Sequence, residues 1–401
     1  MRKIIGLALT AALSLASITN ARAGADVVKI GVLNDQTGMN ADLSGQGSVI
    51  AARMAAEDAG GSVIGKKIEV VFADHQNKAD IGSSIATQWY DKDGVDVIAD
   101  MPFSSVALAV QEIARQRQKI AIYSGPGSSD LTGKACSPYG FHWTFDTVAL
   151  ARGTGSAVVK AGGKKWFFLE ADYAFGHALA KDTIEVVKAN GGTVLGQAIH
   201  PVNTSDFSSY LVQAQASGAD VIGLANGATD TTNSIKQAYE FGLAKSGQKL
   251  AGLLVFITDV NSLGLQVAQG LQMTESFYWD QNDETRAFSK RYAERMGGKK
   301  PSMVQAGVYS GVAHYLKAVA AAGTNDGATV AAKMHELPVN DFMSKNVVIR
   351  RDGRVMRDFY LFQVKTPAES KGPWDYYNLV RTIPAEEAAR PESEGHCPLV
   401  K

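Results

Sequence analysis

Cysteine is scarce in this chain, which holds Cys136 and Cys397 and no other among 401 residues. Two cysteines fit one disulfide in an oxidising compartment or a pair of free thiols, and no metal-site spacing surrounds them. Charge of one sign is not in excess either, because 40 lysines and arginines face 40 aspartates and glutamates. Without a basic block, the composition argues against a nucleic acid partner.

A long apolar run is also missing, since no stretch reaches the roughly 20 apolar residues of a membrane span. The run at residues 4–18 follows two basic residues and precedes Ala21-Arg-Ala23, a small-x-small pattern. This combination predicts a signal peptide over residues 1–23, cleaved after Ala23, with an N-terminal anchor as the alternative. No cysteine follows the run, so we expect a soluble exported protein rather than a lipoprotein.

Motifs of common enzyme classes are absent. The hydrolase pattern G-x-S-x-G does not occur, so a nucleophilic serine has no obvious position. Three Gly-x-Gly pairs, which begin at residues 45, 125 and 153, lack the third glycine of a dinucleotide fingerprint. The seven histidines are scattered without metal-ligand spacing. The sequence therefore predicts no enzyme, no cofactor and no metal.

Apolar strands alternate with helical patterns from residue 27 onward. We predict strands at 27–33, 67–72, 95–99, 120–123, 141–145, 165–169, 193–199, 221–225, 253–258, 272–278 and 359–365. Helices are predicted at 48–59, 81–89, 106–117, 149–161, 175–190, 284–295 and 304–322. This β-α-β-α order is typical of a parallel sheet with helices on both faces, so the predicted fold class is α/β.

The alternation starts again after residue 145, which indicates two lobes of similar size. Segments near 141–145, 277–279 and 347–357 are expected to cross between them, the last as a hairpin with an Asp-Gly turn. The prediction is thus two doubly wound parallel-sheet lobes joined by a three-crossing hinge, an architecture suited to closing on a small molecule. The first lobe would comprise 24–145 and 280–348, and the second 146–279 and 349–401, including a polar tail at 367–401.

Small polar loops follow three of the predicted strands, at Asn34–Gly38, Phe103–Ser105 and Ser124–Ser129. Ligands of open α/β sheets lie at the carboxyl ends of the strands, where glycines and serines offer free N–H and hydroxyl donors. Three such loops around one cleft favour an anion held without a metal. The alternative is that the serines only form turns in solvent.

Five motifs occur in order along the chain: Lys29-Ile-Gly-Val-Leu33, Gly60-Gly-Ser-Val-Ile-Gly65, Ala73-Asp-His75, Ser124-Gly-Pro-Gly-Ser-Ser129 and Ala171-Asp-Tyr-Ala-Phe-Gly-His177. Together they resemble the Leu/Ile/Val-binding branch of the periplasmic binding proteins, which are the solute receptors of ABC importers. The resemblance implies the type I two-lobed fold, a periplasmic location, a permease of the inner membrane as partner and a monomeric chain. A sensory ectodomain and an enzyme are the distant alternatives.

The resemblance also implies ligand-binding positions in both lobes. In the first lobe, the matching loops would bind a carboxylate through Phe103, Ser104, Ser105, Ser124, Gly125, Gly127 and Ser128. In the second lobe, the matching positions are Tyr173, Phe175, Asn226 and Asp259. Tyr123 either stacks on a ligand ring or fills the core at its strand end. Asp259 either meets a ligand hydroxyl or ammonium group, or it caps the next helix.

Departures from the amino-acid receptors bear on the ligand. Pro102-Phe103 stands where those receptors usually have small polar residues, and the loop Ala225-Asn226-Gly227 is not rich in aromatics. The tail from Gly372 to Cys397 is longer than theirs. These features resemble the sub-branch that binds aromatic carboxylates such as benzoate or cinnamate derivatives. A branched-chain amino acid or an amide is the alternative ligand.

Overall fold

The computed structural model describes residues 26–400, so the predicted signal peptide lies outside the described residues. Its strands are β1 (Val27–Asn34), β2 (Ser62–Val63), β3 (Lys66–Asp74), β4 (Val97–Asp100), β5 (Ile120–Tyr123), β6 (Gly140–His142), β7 (Lys165–Ala171), β8 (Thr193–His200), β9 (Val221–Ala225), β10 (Lys249–Gly252), β11 (Gln272–Glu275), β12 (Phe359–Val364) and β13 (Tyr377–Ile383).

The α-helices of the described residues cover the faces of the sheets. They are α1 (Gly45–Asp58), α2 (Ala79–Gln88), α3 (Ser104–Gln116), α4 (Thr147–Leu150), α5 (Ser156–Lys160), α6 (Ala174–Ala189), α7 (Ser208–Ala216), α8 (Ala228–Glu240), α9 (Ile257–Leu263), α10 (Leu265–Ala268), α11 (Asp283–Arg295), α12 (Met303–Ala322), α13 (Gly327–Glu336) and α14 (Ala385–Ala388). None of these helices is long and apolar enough to cross a membrane.

The first lobe is built on a six-stranded sheet with the order β2-β3-β1-β4-β5-β6. All pairings are parallel except β2 with β3. Every residue of β4 and β5 is buried, as expected for parallel strands covered by helices on both faces. Gly31 is required in β1 because a Cβ there would lie 2.4 Å from the Trp89 ring. The core of this lobe is therefore closely packed behind the strand ends.

The second lobe is built on a parallel sheet with the order β10-β9-β7-β8. Its fourth strand is not where the sequence pattern suggested. Residues 249–252 form β10, whereas the predicted strand 253–258 is a loop over 253–256 followed by the first two residues of α9. Leu254 and Phe256 of this run are buried between the lobes, and Val255 and Ile257 are buried in the core of the second lobe outside the sheet, which is why the pattern alone was misleading.

A third, antiparallel sheet of β11, β12 and β13 extends the second lobe. Its last strand lies inside the tail segment 367–401, where the sequence pattern predicted no strand. Four consecutive residues of β13 are exposed, and an exposed edge strand lacks the alternation that would reveal it.

The chain passes between the lobes three times, as predicted. The passages follow β6, β11 and α13, and α11 and α12 return to pack on α1 of the first lobe. The tail adds a further connection, because α14 packs on α4 of the second lobe. Beyond it, Cys397 forms the expected disulfide with Cys136 of the first lobe, with Cα atoms 5.6 Å apart.

Candidate functional site

Six loops meet between the lobes, and each follows the carboxyl end of a parallel strand: β1, β4 and β5 from the first lobe, and β7, β9 and β10 from the second. They enclose a cavity of about 10 Å³ lined by Asn40, Leu43, Pro102, Gly125, Gly127, Tyr173, Phe175, Gly227, Ala228, Leu254 and Phe256. No charged side chain is among these residues. A groove of about 880 Å³ lies on the outer flank of the first lobe, lined by α1, α11 and α12 and away from the strand ends. Ligands of this architecture lie at strand ends, so the small cavity is the candidate site.

Aromatic rings from opposite lobes close the cavity. Phe103 stacks on Tyr173 with ring centroids 4.5 Å apart and an angle of 13° between the planes. The Cα of Gly127 faces the rings of Phe175 and Phe145, so closely that a Cβ would lie 2.6 and 2.8 Å from them. The structure therefore shows the lobes in contact, with space for about one water molecule between them.

The first-lobe wall is held by a network of buried polar groups. The Asn34 amide donates to Ser44 Oγ and to Asp100 Oδ2, both at 3.0 Å, and Ser44 Oγ donates to Asp100 Oδ2 at 2.7 Å. Gln305 of α12 donates to the carbonyls of Asp42 and Ser44 at 3.0 and 3.1 Å. Burial raises the pKa of Asp100 to about 6, and the hydrogen bonds from Ser44 and Asn34 oppose that rise. This network fixes the loop that carries Asn40 and Leu43.

Three non-glycine residues beside the cavity have left-handed backbone angles. They are Asp100 (φ 85°), Met101 (φ 56°) and Ala228 (φ 52°). Such conformations cost on the order of 1–3 kcal/mol each and persist where the surrounding structure enforces them. Two of them precede Pro102 and the third follows Gly227, both of which line the cavity. The strain is therefore located in the loops that shape the cavity.

Three long helices begin at the cavity without a side-chain cap among the described residues. The residues that precede α3, α6 and α8 are Phe103, Tyr173 and Gly227, and none accepts a capping hydrogen bond. The first N–H groups of a helix lack partners within the helix and carry its positive dipole end. Three such ends around an uncharged cavity favour an anionic group.

Of the predicted serines of the first lobe, Ser104, Ser124 and Ser128 are buried, and Ser105 is partly exposed. Ser104 and Ser105 form the first turn of α3, and Ser104 Oγ accepts from the Ser128 N–H at 3.2 Å. Ser128 Oγ accepts from the Asp130 N–H, which places it at the start of a short 3₁₀ turn. Ser124 Oγ is buried without a hydrogen-bond partner among the described residues. These residues surround Gly125 and Gly127, which do line the cavity.

Three other predicted residues point away from the cavity. Tyr123 is fully buried in the first-lobe core, edge-on to His142. The Asn226 amide donates to His200 at 3.2 Å, and its oxygen accepts from Thr231 at 2.8 Å. Asp259 lies in the first turn of α9 and accepts from the N–H of Phe256, the residue before the helix, at 2.9 Å, which is the return bond of a capping box. Asn226 and Asp259 are hydrogen-bonded within their own lobe, whereas the buried Tyr123 hydroxyl has no partner among the described residues.

Other lining residues were not predicted. Asn40 and Leu43 follow β1, and Leu254 and Phe256 belong to the apolar run that the sequence pattern assigned to a strand. Asp230 lies in the first turn of α8 and is fully buried, although it does not line the cavity. One of its carboxylate oxygens accepts from the Asn203 N–H at 3.1 Å, and the other has no partner among the described residues. Burial raises the pKa of Asp230 to about 6. For Leu254 and Phe256, the available signal was an apolar run directly after β10.

Comparisons with known proteins agree with this architecture. A family model described as periplasmic binding protein matches residues 27–373. The crystal structure of a periplasmic binding protein from Burkholderia mallei is 52% identical, covers 94% of this chain and 100% of its own, and gives a TM-score of 0.92. A branched chain amino acid ABC transporter periplasmic ligand-binding protein from Burkholderia xenovorans LB400 is 40% identical, with coverages of 93% and 100% and a TM-score of 0.83.

One further solved structure contains a bound compound. It is a solute binding protein of an ABC transporter from Rhodopseudomonas palustris BisB5 in complex with 3,4-dihydroxy benzoic acid. It is 25% identical, covers 90% of this chain and 98% of its own, and gives a TM-score of 0.80. These similarities confirm the predicted two-lobed fold.

Proposed function

Because the chain belongs to the periplasmic binding protein family, we propose that it captures a small aromatic carboxylate between its lobes and delivers it to an ABC permease. The family comprises ligand-binding receptors rather than enzymes, and its name implies the periplasm. The observation that carries the proposal is the set of three uncapped helix ends around a cavity without charged side chains. We further propose that the mature chain acts as a monomer.

The helix ends suit the carboxylate of the ligand. A buried carboxylate is costly unless hydrogen-bond donors surround its oxygens. The first N–H groups of α3, together with the serine hydroxyls at 104 and 105, are the donors that we assign to one side. The N-terminal ends of α6 and α8 supply a favourable dipole from the other lobe. A lysine or arginine is not needed for this kind of recognition.

The aromatic walls suit the ring of the ligand. Phe103 and Tyr173 stack on each other in the closed arrangement, and lobe opening would separate them and admit a planar ring. Phe175 and Phe256 contribute further apolar surface. Each aromatic contact stabilises a bound ring by about 0.5–1.5 kcal/mol beyond area burial. The bound 3,4-dihydroxy benzoic acid of the Rhodopseudomonas palustris structure supports this ligand class.

A branched-chain amino acid is the second candidate. The 40% identical Burkholderia xenovorans structure is described as a branched chain amino acid ABC transporter periplasmic ligand-binding protein. The unpartnered carboxylate oxygen of Asp230 would be the acceptor for an ammonium group. We rank this candidate second because no acidic side chain lines the cavity itself, and Asp259 is occupied by the Phe256 N–H.

A thermal-shift screen of residues 24–401 tests the proposal. The plate holds benzoates, hydroxycinnamates, branched-chain amino acids and short amides. A ligand at 100 times its Kd stabilises the folded state by about 2.7 kcal/mol, which is easily detected. We expect a response confined to aromatic acids. A response to leucine or valine alone would refute the aromatic ligand and support the second candidate, and no response on the whole plate would refute both.

A matched pair of variants then tests the position of the ring. Phe175→Leu should weaken binding of the responding aromatic acid by about 2- to 10-fold, because one aromatic contact is lost. Phe72→Leu is the control, since Phe72 is a phenylalanine of β3 that is 46% exposed and remote from the cavity. Equal affinities for the two variants would contradict the proposed site.

A further inference from the structure

Ser129 ends the loop after β5, and each of its polar groups is bonded to a residue outside the first lobe. Its N–H donates to Thr147 Oγ1 at 3.2 Å, and its hydroxyl donates to Asp182 Oδ2 at 2.8 Å. Its carbonyl oxygen accepts from the Arg390 guanidinium at 2.6 Å. Thr147 begins α4, Asp182 lies within α6, and Arg390 belongs to the tail. One residue of the first lobe is thus held by three elements that do not belong to it.

Asp182 is the common acceptor in this cluster. Its Oδ2 accepts from Thr147 Oγ1 at 2.5 Å as well as from Ser129. The carboxylate is 5% exposed, and the nearest cation, Lys181 Nζ, lies 3.6 Å from its other oxygen on an exposed side chain. A buried carboxylate is costly when its donors are withdrawn. Separation of Ser129 from α6 would remove one of the two hydroxyl donors to Asp182.

We propose that Ser129 and Asp182 form an interlobe latch that stabilises the closed arrangement without touching the ligand. The latch joins the first-lobe loop 124–129 to α6, which itself begins at the cavity with Tyr173 and Phe175. Neither latch residue lines the cavity, so Asp182 is a positioning residue. This inference concerns the closure of the two lobes and holds whichever solute the protein binds.

The latch makes each lobe protect backbone amides of the other. The Ser129 N–H bonds across to Thr147, and the Thr147 N–H bonds back to the Gly127 carbonyl at 2.8 Å. Removal of the Asp182 charge should therefore loosen residues 127–133, and removal of the Ser129 hydroxyl should loosen residues 145–150. A purely local structural role would affect only the lobe that carries the substitution.

Hydrogen exchange of the ligand-free mature protein tests this reciprocity. Asp182→Asn should speed amide exchange in residues 127–133 about tenfold, and Ser129→Ala should do the same in residues 145–150, since a hydrogen bond to a charged group is lost in each case. The double variant should exchange no faster than the faster single variant, because both substitutions break one interaction.

Two controls separate the latch from general destabilisation. Glu185→Gln removes an exposed acid one turn along α6, where it pairs with Lys181. Ser137→Ala removes a buried hydroxyl that accepts from Tyr139 within the first lobe. Both controls should leave exchange in the opposite lobe unchanged. The proposal would be overturned if amides in residues 127–133 and 145–150 of the wild type exchanged without protection. It would also be overturned if the effects of the two latch substitutions on exchange were additive. If Asp182→Asn does not fold, the exchange rates of Ser129→Ala alone test the proposal.

Discussion

The contact between Gly127 and Phe175 makes Gly127→Ala a sharp test of lobe closure. An alanine Cβ would lie 2.6 Å from the Phe175 ring of the second lobe and 2.8 Å from the Phe145 ring. Both rings are buried, so neither can turn aside freely. In the open arrangement Phe175 would no longer face this position. The clash with Phe145, which belongs to the first lobe, should lower the stability of both arrangements, and the clash with Phe175 should add a penalty that arises only on closure.

The expected magnitude follows from the cost of overpacking, which is about 1–3 kcal/mol for one inserted methyl group. Because binding requires closure, this penalty should raise the Kd of the responding ligand about 5- to 150-fold. Calorimetric titration measures the affinity, and denaturant unfolding of the free protein measures the stability. We expect a loss of stability in the free protein from the Phe145 contact, and in addition a loss of affinity from the Phe175 contact.

Two neighbouring glycines serve as controls for this prediction. A Cβ at Gly227, which lines the same cavity, would meet its nearest atoms at 3.6 Å, so Gly227→Ala should not hinder lobe closure. A Cβ at Gly125 would lie 2.6 Å from Pro102 within the first lobe, so Gly125→Ala should lose stability itself. Unchanged affinity in Gly127→Ala would refute the reasoning, because the closed lobes would then not bring Phe175 against this loop.

Two further predictions concern stability. Burial raises the pKa of Glu275 to about 8, although the hydrogen bond from Tyr377 acts in the opposite direction. The folded protein therefore holds a proton on Glu275 that the unfolded chain, with a pKa of about 4.5, releases. The contribution of Glu275 to the free energy of unfolding is thus fully present below about pH 4.5 and is lost as the pH rises towards 8. Glu275→Gln should therefore gain stability relative to wild type by up to about 1.4 kcal/mol per pH unit from pH 5 to 8, and parallel unfolding profiles would contradict this. Reduction of the Cys136–Cys397 disulfide should lower the free energy of unfolding by about 2–4 kcal/mol, which is measured as a lower Tm. In the control variant Cys136→Ser, the Tm should not respond to reductant. An unchanged Tm of the wild type on reduction would contradict a stabilising role of the disulfide.

The alternation of strands and helices made most of the architecture predictable from the sequence. The alternation pattern gave a wrong strand where apolar residues are buried outside a sheet. Leu254 and Phe256 are apolar because they face the opposite lobe, and a pattern of apolar residues does not distinguish that environment from a sheet. The strand β13 was not predicted for the opposite reason: four of its consecutive residues are exposed, so its sequence shows no alternation of apolar and polar residues.

The candidate site was predictable in its location rather than in its individual side chains. The loops after β4, β5 and β7 were predicted, and they meet at the cavity through Gly125, Gly127, Tyr173 and Phe175. The contacts of Ser129 were not predictable, because Asp182 is 53 residues away in the sequence and belongs to the other lobe. Such a pairing depends on how the two lobes meet, which no local pattern encodes.

The tail disulfide has a consequence for how the protein matures. Cys397 lies 261 residues beyond its partner, so nearly the whole chain must be synthesised before the bond can form. Two cysteines allow one intramolecular pairing, whereas four would allow three. An oxidant is therefore sufficient, and no enzyme is needed to correct mispaired bonds within the chain. Once formed, the bond ties the tail to the first lobe across 261 residues of the chain.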